Sequence, residues 1–249
     1  METTETTVSR TSVYSNTRAK KKGVGSFLPS NKFLVNARNE ADGLTLLAGI
    51  QNKTVTAAFL DPQYRGIMDK MKYGNEGQRQ KERAVLRQMD EDEIRVFVEE
   101  IDRVLIESGH LFLWIDKFHL CEGTSAWTKN TTLSIVDLIT WDKGKIGMGY
   151  RTRRKTEYLL VLQKQPLKAK GLWTRHDIPD VWTEKIMNKV HPHQKPVELQ
   201  KMLIDAVSAQ QDYILDPCAG SYSVLNACKE LNRNFIGSDI KSIETNRID

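Results

Sequence analysis

Cysteine is scarce in this chain. Cys121, Cys218 and Cys228 are the three in 249 residues, and no two of them form a C-x-x-C pair. An odd, widely spaced set builds neither a disulfide framework nor a cysteine zinc site, and it suits a reducing compartment. Long hydrophobic runs are missing as well. No apolar stretch reaches membrane-spanning length, and the first residues lack the apolar core of a secretory signal, so no membrane association and a cytoplasmic location are expected. No G-x-x-x-x-G-K motif is present, so no P-loop is read. His191 and His193 stand two residues apart with no acidic or cysteine partner close in sequence, so no metal site is read.

What is present is 39% hydrophobic and 28% charged, which suits one medium domain with a core plus tails or insertions. The net charge is +5, and its distribution says more than its total. Between Lys143 and Arg175 there are ten Lys or Arg and one acid, Glu157, so the remainder of the chain is net negative. Such a segment is the footprint of a phosphate-backbone binder, and also of a solvated face. Residues 1–31 are rich in Ser, Thr and Lys and carry the basic run 18–22; they read as a flexible basic arm ahead of a domain over 32–249.

Periodicity places the elements. Phe33–Val35 reads as a short strand, and 42–50 as a helix. A buried strand over 54–60 follows. Ile94, Phe97, Val98, Ile101, Val104 and Leu105 keep helical spacing, with acids in the first turn and Gly109 after the end, so 90–108 reads as a helix. Then come a strand over 111–115, a weaker helix over 118–130, and strands over 133–141 and 157–162 joined as a long antiparallel hairpin. A helix starts after Pro196. Tyr213–Leu215 and Phe235–Gly237 are strands with a helix between them. The loop regions 65–90 and 163–190 have little periodicity. Strands alternating with helices predict an α/β fold, with a mainly parallel sheet covered on both faces and an antiparallel edge hairpin.

Three stretches carry chemistry. The strand Thr54–Leu60 ends abruptly in Asp61-Pro62-Gln63-Tyr64. Ligands in open α/β sheets bind at the carboxyl ends of strands, although Asp and Pro are also ordinary turn residues. His191-Pro192-His193-Gln194-Lys195-Pro196 is a rigid lead-in that puts Pro196 in the first turn of a helix. The third stretch is Leu215-Asp216-Pro217-Cys218-Ala219-Gly220-Ser221-Tyr222-Ser223, a strand, an acid, a glycine turn and a helix, with the next strand ending at Asp239. That is the layout of a nucleoside-binding βαβ unit, in which the second acid accepts from ribose hydroxyls. With Gly220 as its one glycine, the turn is a poor match to a dinucleotide fingerprint, which points to an adenosine-type ligand without a pyrophosphate.

Taken together and in this order, the stretches resemble the class β S-adenosylmethionine-dependent DNA amino-methyltransferases of the Asp-Pro-Pro-Tyr type, across about 32–239. The resemblance implies a Rossmann-like seven-stranded methyltransferase sheet in circularly permuted order, the catalytic half before the cofactor half. It implies methyl transfer from S-adenosylmethionine to the N6 amine of a flipped-out adenine, with cytosine N4 and a catalytically weak nucleic-acid-binding paralogue as alternatives. By position, Asp61, Pro62, Gln63 and Tyr64 match the catalytic motif. Asp216, Pro217, Cys218, Ala219, Gly220 and Ser221 match the cofactor loop, Asp239 the ribose acid, and Lys195 the motif at the methionine end. In this scheme Asp61 and the Pro62 carbonyl accept the amine hydrogens and Tyr64 stacks on the extruded base. Gln63 and Tyr222 depart from the pattern, standing where proline and glycine are usual. The implied partner is double-stranded DNA, contacted by Arg65, Lys143, Lys145, Arg151, Arg153, Arg154, Lys168 and Lys170. A homodimer and a restriction endonuclease partner are further associations known in the class, and a bacterial or phage origin is implied.

Overall fold

The computed structural model describes residues 32–63, 88–147, 151–187 and 194–240. The expected arm over 1–31, the segment holding Tyr64 and Arg65, and His191–His193 lie outside the described residues.

The centre of the molecule follows from a few largely apolar, buried strands. Strand β2 (Val55–Leu60) is buried at every position, as a parallel strand covered on both faces must be. It lies between β7 (Tyr213–Asp216) and β3 (Leu105–Ile115), parallel to both. Together with β1 (Asn39–Glu40), β4 (Leu133–Asp142), β5 (Thr156–Lys164), β6 (Val181–Thr183) and β8 (Asn234–Asp239) these form an eight-stranded sheet in the order β1-β8-β7-β2-β3-β5-β4-β6. All neighbours run parallel except β5, which opposes β3 and β4.

Side chains alternate across the strands and so divide between two cores. Ala58 and Leu60 pack under α1 (Gly43–Ala48) and α2 (Glu91–Val104). Ala57 and Phe59, with Phe112 and Trp114 of β3, pack under α5 (Val197–Val207) and α6 (Ser223–Glu230). The two remaining helices, α3 (Lys117–Glu122) and α4 (Ser125–Thr128), are short.

The α/β class, the mostly parallel sheet and the 133–164 hairpin agree with the sequence reading, and five details differ. Among the described residues the strand count is eight rather than seven, because the two-residue β1 and the three-residue β6 were unread and one expected strand does not form. The hairpin is not the edge: β6 lies outside β4, parallel to it. Helix α2 stops at Val104 rather than Ser108. Leu105 turns extended (φ −65°, ψ 138°) and pairs with Val55, so its helical spacing is coincidental. Ser108 then takes φ 60°, and a Cβ on Gly109 would come within 3.0 Å of the Thr56 carbonyl. The expected helix over 118–130 is broken in two at Gly123, which sits at φ 93°. Phe33–Val35 forms no strand; the side chain of Asn39 bridges the Leu34 carbonyl and the Gly237 carbonyl at 2.9 Å each and seats β1 on β8 instead.

Candidate active site

Four parallel strands, β2, β3, β7 and β8, end on one side of the sheet, and a cavity of ≈ 240 Å³ opens there. Its walls are partly apolar, from Phe59, Met89, Phe97 and Trp114.

The β7–α6 turn forms one wall. Asp216, the last residue of β7, is buried and accepts from the Cys218 amide at 3.2 Å. The Ala219 amide donates to the Ser238 carbonyl at 3.0 Å, and the Gly220 amide to Asp239 Oδ2 at 2.9 Å. The turn thus closes on the end of β8 through its own backbone, with Gly220 at φ 47°. Asp216, Pro217, Cys218, Ala219, Gly220 and Ser221 all face the cavity, as does Asp239. Sequence reasoning missed Gly43. A Cβ there would fall 2.4 Å from the Pro217 carbonyl, so the start of α1, capped by Asp42, rests directly on this turn.

Tyr222 does not crowd the turn. It adopts the left-handed conformation (φ 57°) that a glycine would take, and its ring is buried beside Phe235, away from the cavity. Its hydroxyl donates to the Asn39 carbonyl at 2.8 Å. Burial, aided by Asp239 and Asp216, pushes that hydroxyl's pKa up to about 12.

The opposite wall is the end of β2. Asp61 and Gln63 line the cavity, Pro62 is buried between them, and the Gln63 carbonyl accepts from the Met89 amide at 2.8 Å. That bond ties together the two ends of the segment 64–87. Asp61 Oδ1 lies 3.0 Å from Lys195 Nζ, whose side chain is only 11% exposed. Lys195 also reaches Glu157 Oε2 at 2.8 Å and sits over the Trp114 ring, 4.8 Å from its centre. Glu157 Oε1 in turn meets Lys143 Nζ at 2.6 Å. Burial raises the Asp61 carboxyl above its ordinary range, and Lys195 opposes that rise. Burial would raise Glu157 too, but Lys195 and Lys143 override it and hold its pKa at about 2.

Asp61, Asp216 and the cavity's other carboxylates, Asp42 and Asp239, face it with one ammonium, Lys195. Asp216 is pushed well above the ordinary carboxylate range by burial, with Asp61 and Asp239 adding to the rise and the Cys218 amide opposing it. Such a site favours a ligand with a flat apolar part, hydroxyl donors and positive charge.

The structure separates the basic residues. Lys143 belongs to the ion-pair chain beside Asp61. Lys145, Arg151, Arg153 and Arg154 are exposed on the β4–β5 connection, at the same end of the sheet as the cavity, where Arg153 Nε donates to the Gly147 carbonyl at 2.6 Å. Lys168 and Lys170 follow the far end of β5, where Gln163 brackets the Lys168 backbone. Lys164 pairs six residues beyond the Tyr158–Ile115 register, so these two lysines lie roughly 20 Å from the cavity end. Other cations of the segment are spent internally, Lys155 on Asp142, Lys164 on Asp102 and Arg175 on Asp177 and Asp205. Glu157 was missed as a site residue. Its signal was present: it is the single acid among the ten cations.

Comparison with known proteins gives the family. Residues 55–246 match the N6_N4_Mtase family, described as DNA methylase. The Type II methyltransferase M.HhaII of Haemophilus parahaemolyticus is 58% identical over 208 residues, 83% of this chain and 91% of that protein. Among solved structures, the M1.HpyAVI–SAM complex superposes with a TM-score of 0.60 at 19% identity, covering 82% of this chain and 93% of that one. The cytosine-N4-specific PvuII DNA methyltransferase gives 0.63 at 12% identity, covering 82% of each. With a family match across residues 55–246 and a relative 58% identical over 83% of its length, the chain belongs to the N6/N4 family of DNA methylases.

Proposed function

We propose that this protein transfers a methyl group from S-adenosylmethionine to the N6 amine of an adenine extruded from double-stranded DNA. The observation that carries the reading is the meeting of Asp61 with the Asp216–Ser221 turn and Asp239 around one cavity. Asp239, fixed by the Gly220 amide, would accept from the ribose hydroxyls, and the apolar walls would hold its adenine. The surplus of carboxylates suits the positive charge at the methionine end. Bound there, the cofactor supplies a methyl already activated by its sulfonium.

The chain's own residues do the rest. An exocyclic amine is a weak nucleophile because its lone pair is delocalised into the ring. Asp61 and the Pro62 carbonyl can accept its two hydrogens, which localises that lone pair and stabilises the charge developing on nitrogen. Fixing the amine in line with the methyl supplies much of the remaining rate. The exposed Lys145, Arg151, Arg153 and Arg154 stand at the same end of the sheet and suit the DNA backbone. An aspartate rather than a serine ahead of the proline favours adenine.

Nucleoside mass spectrometry of DNA methylated by the purified protein tests this. N6-methyladenine is expected. N4-methylcytosine would replace the target base while keeping the family, and unmodified DNA in the presence of bound cofactor would leave a nucleic-acid-binding paralogue.

A further inference from the structure

Four charges of alternating sign run across the carboxyl end of the sheet: Asp61, Lys195, Glu157 and Lys143, with gaps of 3.0, 2.8 and 2.6 Å. They come from four places, the end of β2, the lead-in to α5, the start of β5 and the residue after β4. Register explains why they meet. Leu60 is level with Leu113, Trp114 with Leu159, and Trp141 with Glu157, so the end of β2 and the β4–β5 hairpin reach the same height. Two indoles floor the row. Lys195 lies over Trp114 and Lys143 over Trp141, 5.7 Å from its ring centre, and the two rings meet edge to face at 5.9 Å. Ammonium groups over indole faces are attracted by the ring quadrupole, which favours their positions independently of the carboxylates.

The lead-in that carries Lys195 is fixed from elsewhere. Glu184, just after β6, accepts from the Glu198 and Leu199 amides at 3.2 and 3.1 Å and so caps α5, whose cap residue, Pro196, has no side chain to do it. The Trp141 indole donates to the Glu184 carbonyl at 2.9 Å. The same tryptophan therefore floors Lys143 and locates the helix behind Lys195.

We propose that Lys195 is the counter-charge of Asp61, and that Glu157, seated by Lys143, is a positioning residue that shares Lys195 with Asp61 and so sets how firmly that carboxylate is occupied before an amine arrives. The inference rests on the methyl-transfer reading. It moves Lys195 from the methionine end of the cofactor to the catalytic carboxylate. Lys195 keeps the buried carboxylate ionised, and Glu157 draws the ammonium part-way off, leaving acceptor capacity for the amine. Among the described residues the charged and titratable groups facing Asp61 are Lys195, Glu157, Asp216 and Cys218, and Lys195 and Lys143 hold Glu157 well below the ordinary carboxylate range.

The test compares Lys195→Met, Lys195→Arg and Glu157→Gln in the full chain by two readouts. The first is carboxyl ¹³C NMR titration of aspartate-labelled protein, with the Asp61 signal assigned by its loss in Asp61→Asn. The second is the pH profile of methylation, with S-adenosylmethionine affinity measured separately. Lys195→Met is expected to move the Asp61 midpoint and the acid limb of kcat to higher pH. It should lower kcat on the acid limb, by about tenfold per unit of midpoint shift at pH values below both midpoints, and leave cofactor affinity near that of wild type. Lys195→Arg should restore the limb. Glu157→Gln should move the midpoint the opposite way, because a neighbouring negative charge is gone, yet raise KM for DNA, because Lys195 then rests on Asp61 alone. Lys195→Met with an unmoved Asp61 midpoint and collapsed cofactor affinity would overturn the proposal. So would shifts of the same sign in Lys195→Met and Glu157→Gln. A wild-type protein that methylates nothing would fail the functional reading alone, since the NMR titration still decides the charge sharing.

Discussion

The two walls of the cavity are built by different means. The β7–α6–β8 wall is closed locally through its backbone amides: those of Cys218, Ala219 and Gly220 donate to the Asp216 carboxylate, the Ser238 carbonyl and the Asp239 carboxylate. The β2 wall has no such local closure among its described residues. Asp61 is held by Lys195, which is held by Glu157, which is held by Lys143, and these arrive from three distant stretches of chain. A backbone-closed turn is formed as soon as its neighbouring strands pair. A charge row exists only when the β4–β5 hairpin and the lead-in to α5 are both docked, and each buried member depends on the others to offset its desolvation. The β7–α6–β8 wall, proposed to hold the cofactor, is therefore expected to tolerate changes in the rest of the chain, and the β2 wall, proposed to be catalytic, to be sensitive to them.

The largest effect expected to separate the walls is Asp61→Ala. Loss of one acceptor aimed at developing charge costs on the order of 10²–10³ in kcat. Cofactor binding should survive, so single-turnover methylation and calorimetric titration with S-adenosylmethionine should part company. Equal losses in both would mean that Asp61 also holds the cofactor, and the two walls would not be separable. On the other wall, Asp239→Ala removes the acceptor of the Gly220 amide and of the proposed ribose hydroxyls. Hydrogen bonds to a charged group contribute about 1.5–3 kcal/mol, so S-adenosylmethionine affinity should fall by roughly 10- to 150-fold. The kcat at saturating cofactor should stay within a few-fold of wild type.

The same contrast explains what the sequence could show. Asp216 to Ser223 is one contiguous run, and every residue assigned to the cofactor from it faces the cavity, as does Asp239. Asp61 was legible because a buried β-branched and apolar strand ends at it. Trp114 was not, because nothing in its own neighbourhood distinguishes it from an ordinary strand residue, and Glu157 stood out only as the single acid among ten cations, which does not say what it faces; the register of β3, β4 and β5 brings both level with Asp61. Leu105 failed for a related reason. Its helical spacing from Ile101 is real, but the pairing with Val55 decides its conformation. Basic residues were legible as a composition and not as a surface. The antiparallel run of β5 carries Lys168 and Lys170 to the far end, whereas Arg151, Arg153 and Arg154 stay at the cavity end.

That split gives the next prediction. Reversing Arg151, Arg153 and Arg154 to Glu should weaken DNA binding at moderate salt. It should also reduce the slope of log affinity against log salt by about one for each cation that contacts a phosphate. Reversing Lys168 and Lys170 should leave affinity and slope close to wild type, measured by fluorescence anisotropy across a salt series. If the second pair matters as much as the first, the DNA path runs over both ends of the sheet.

The smallest effect concerns Tyr222, which stands where the resemblance leads one to expect glycine, beside the backbone-closed wall. Its left-handed backbone meets the demand that a glycine usually meets, and its side chain leaves the cavity to fill the space beside Phe235. Tyr222→Phe keeps that packing and removes only the donor to the Asn39 carbonyl, the bond that helps seat β1 on β8. A hydrogen bond of this kind contributes about 1 kcal/mol net, and a carbonyl left unpaired in a buried place adds to the loss. Chemical denaturation should show a midpoint lowered by an amount of that order, with S-adenosylmethionine affinity unchanged. A change in cofactor affinity instead would mean that the substitution at this position reaches the turn itself, and that the backbone-closed wall is less independent of its surroundings than its hydrogen bonds imply.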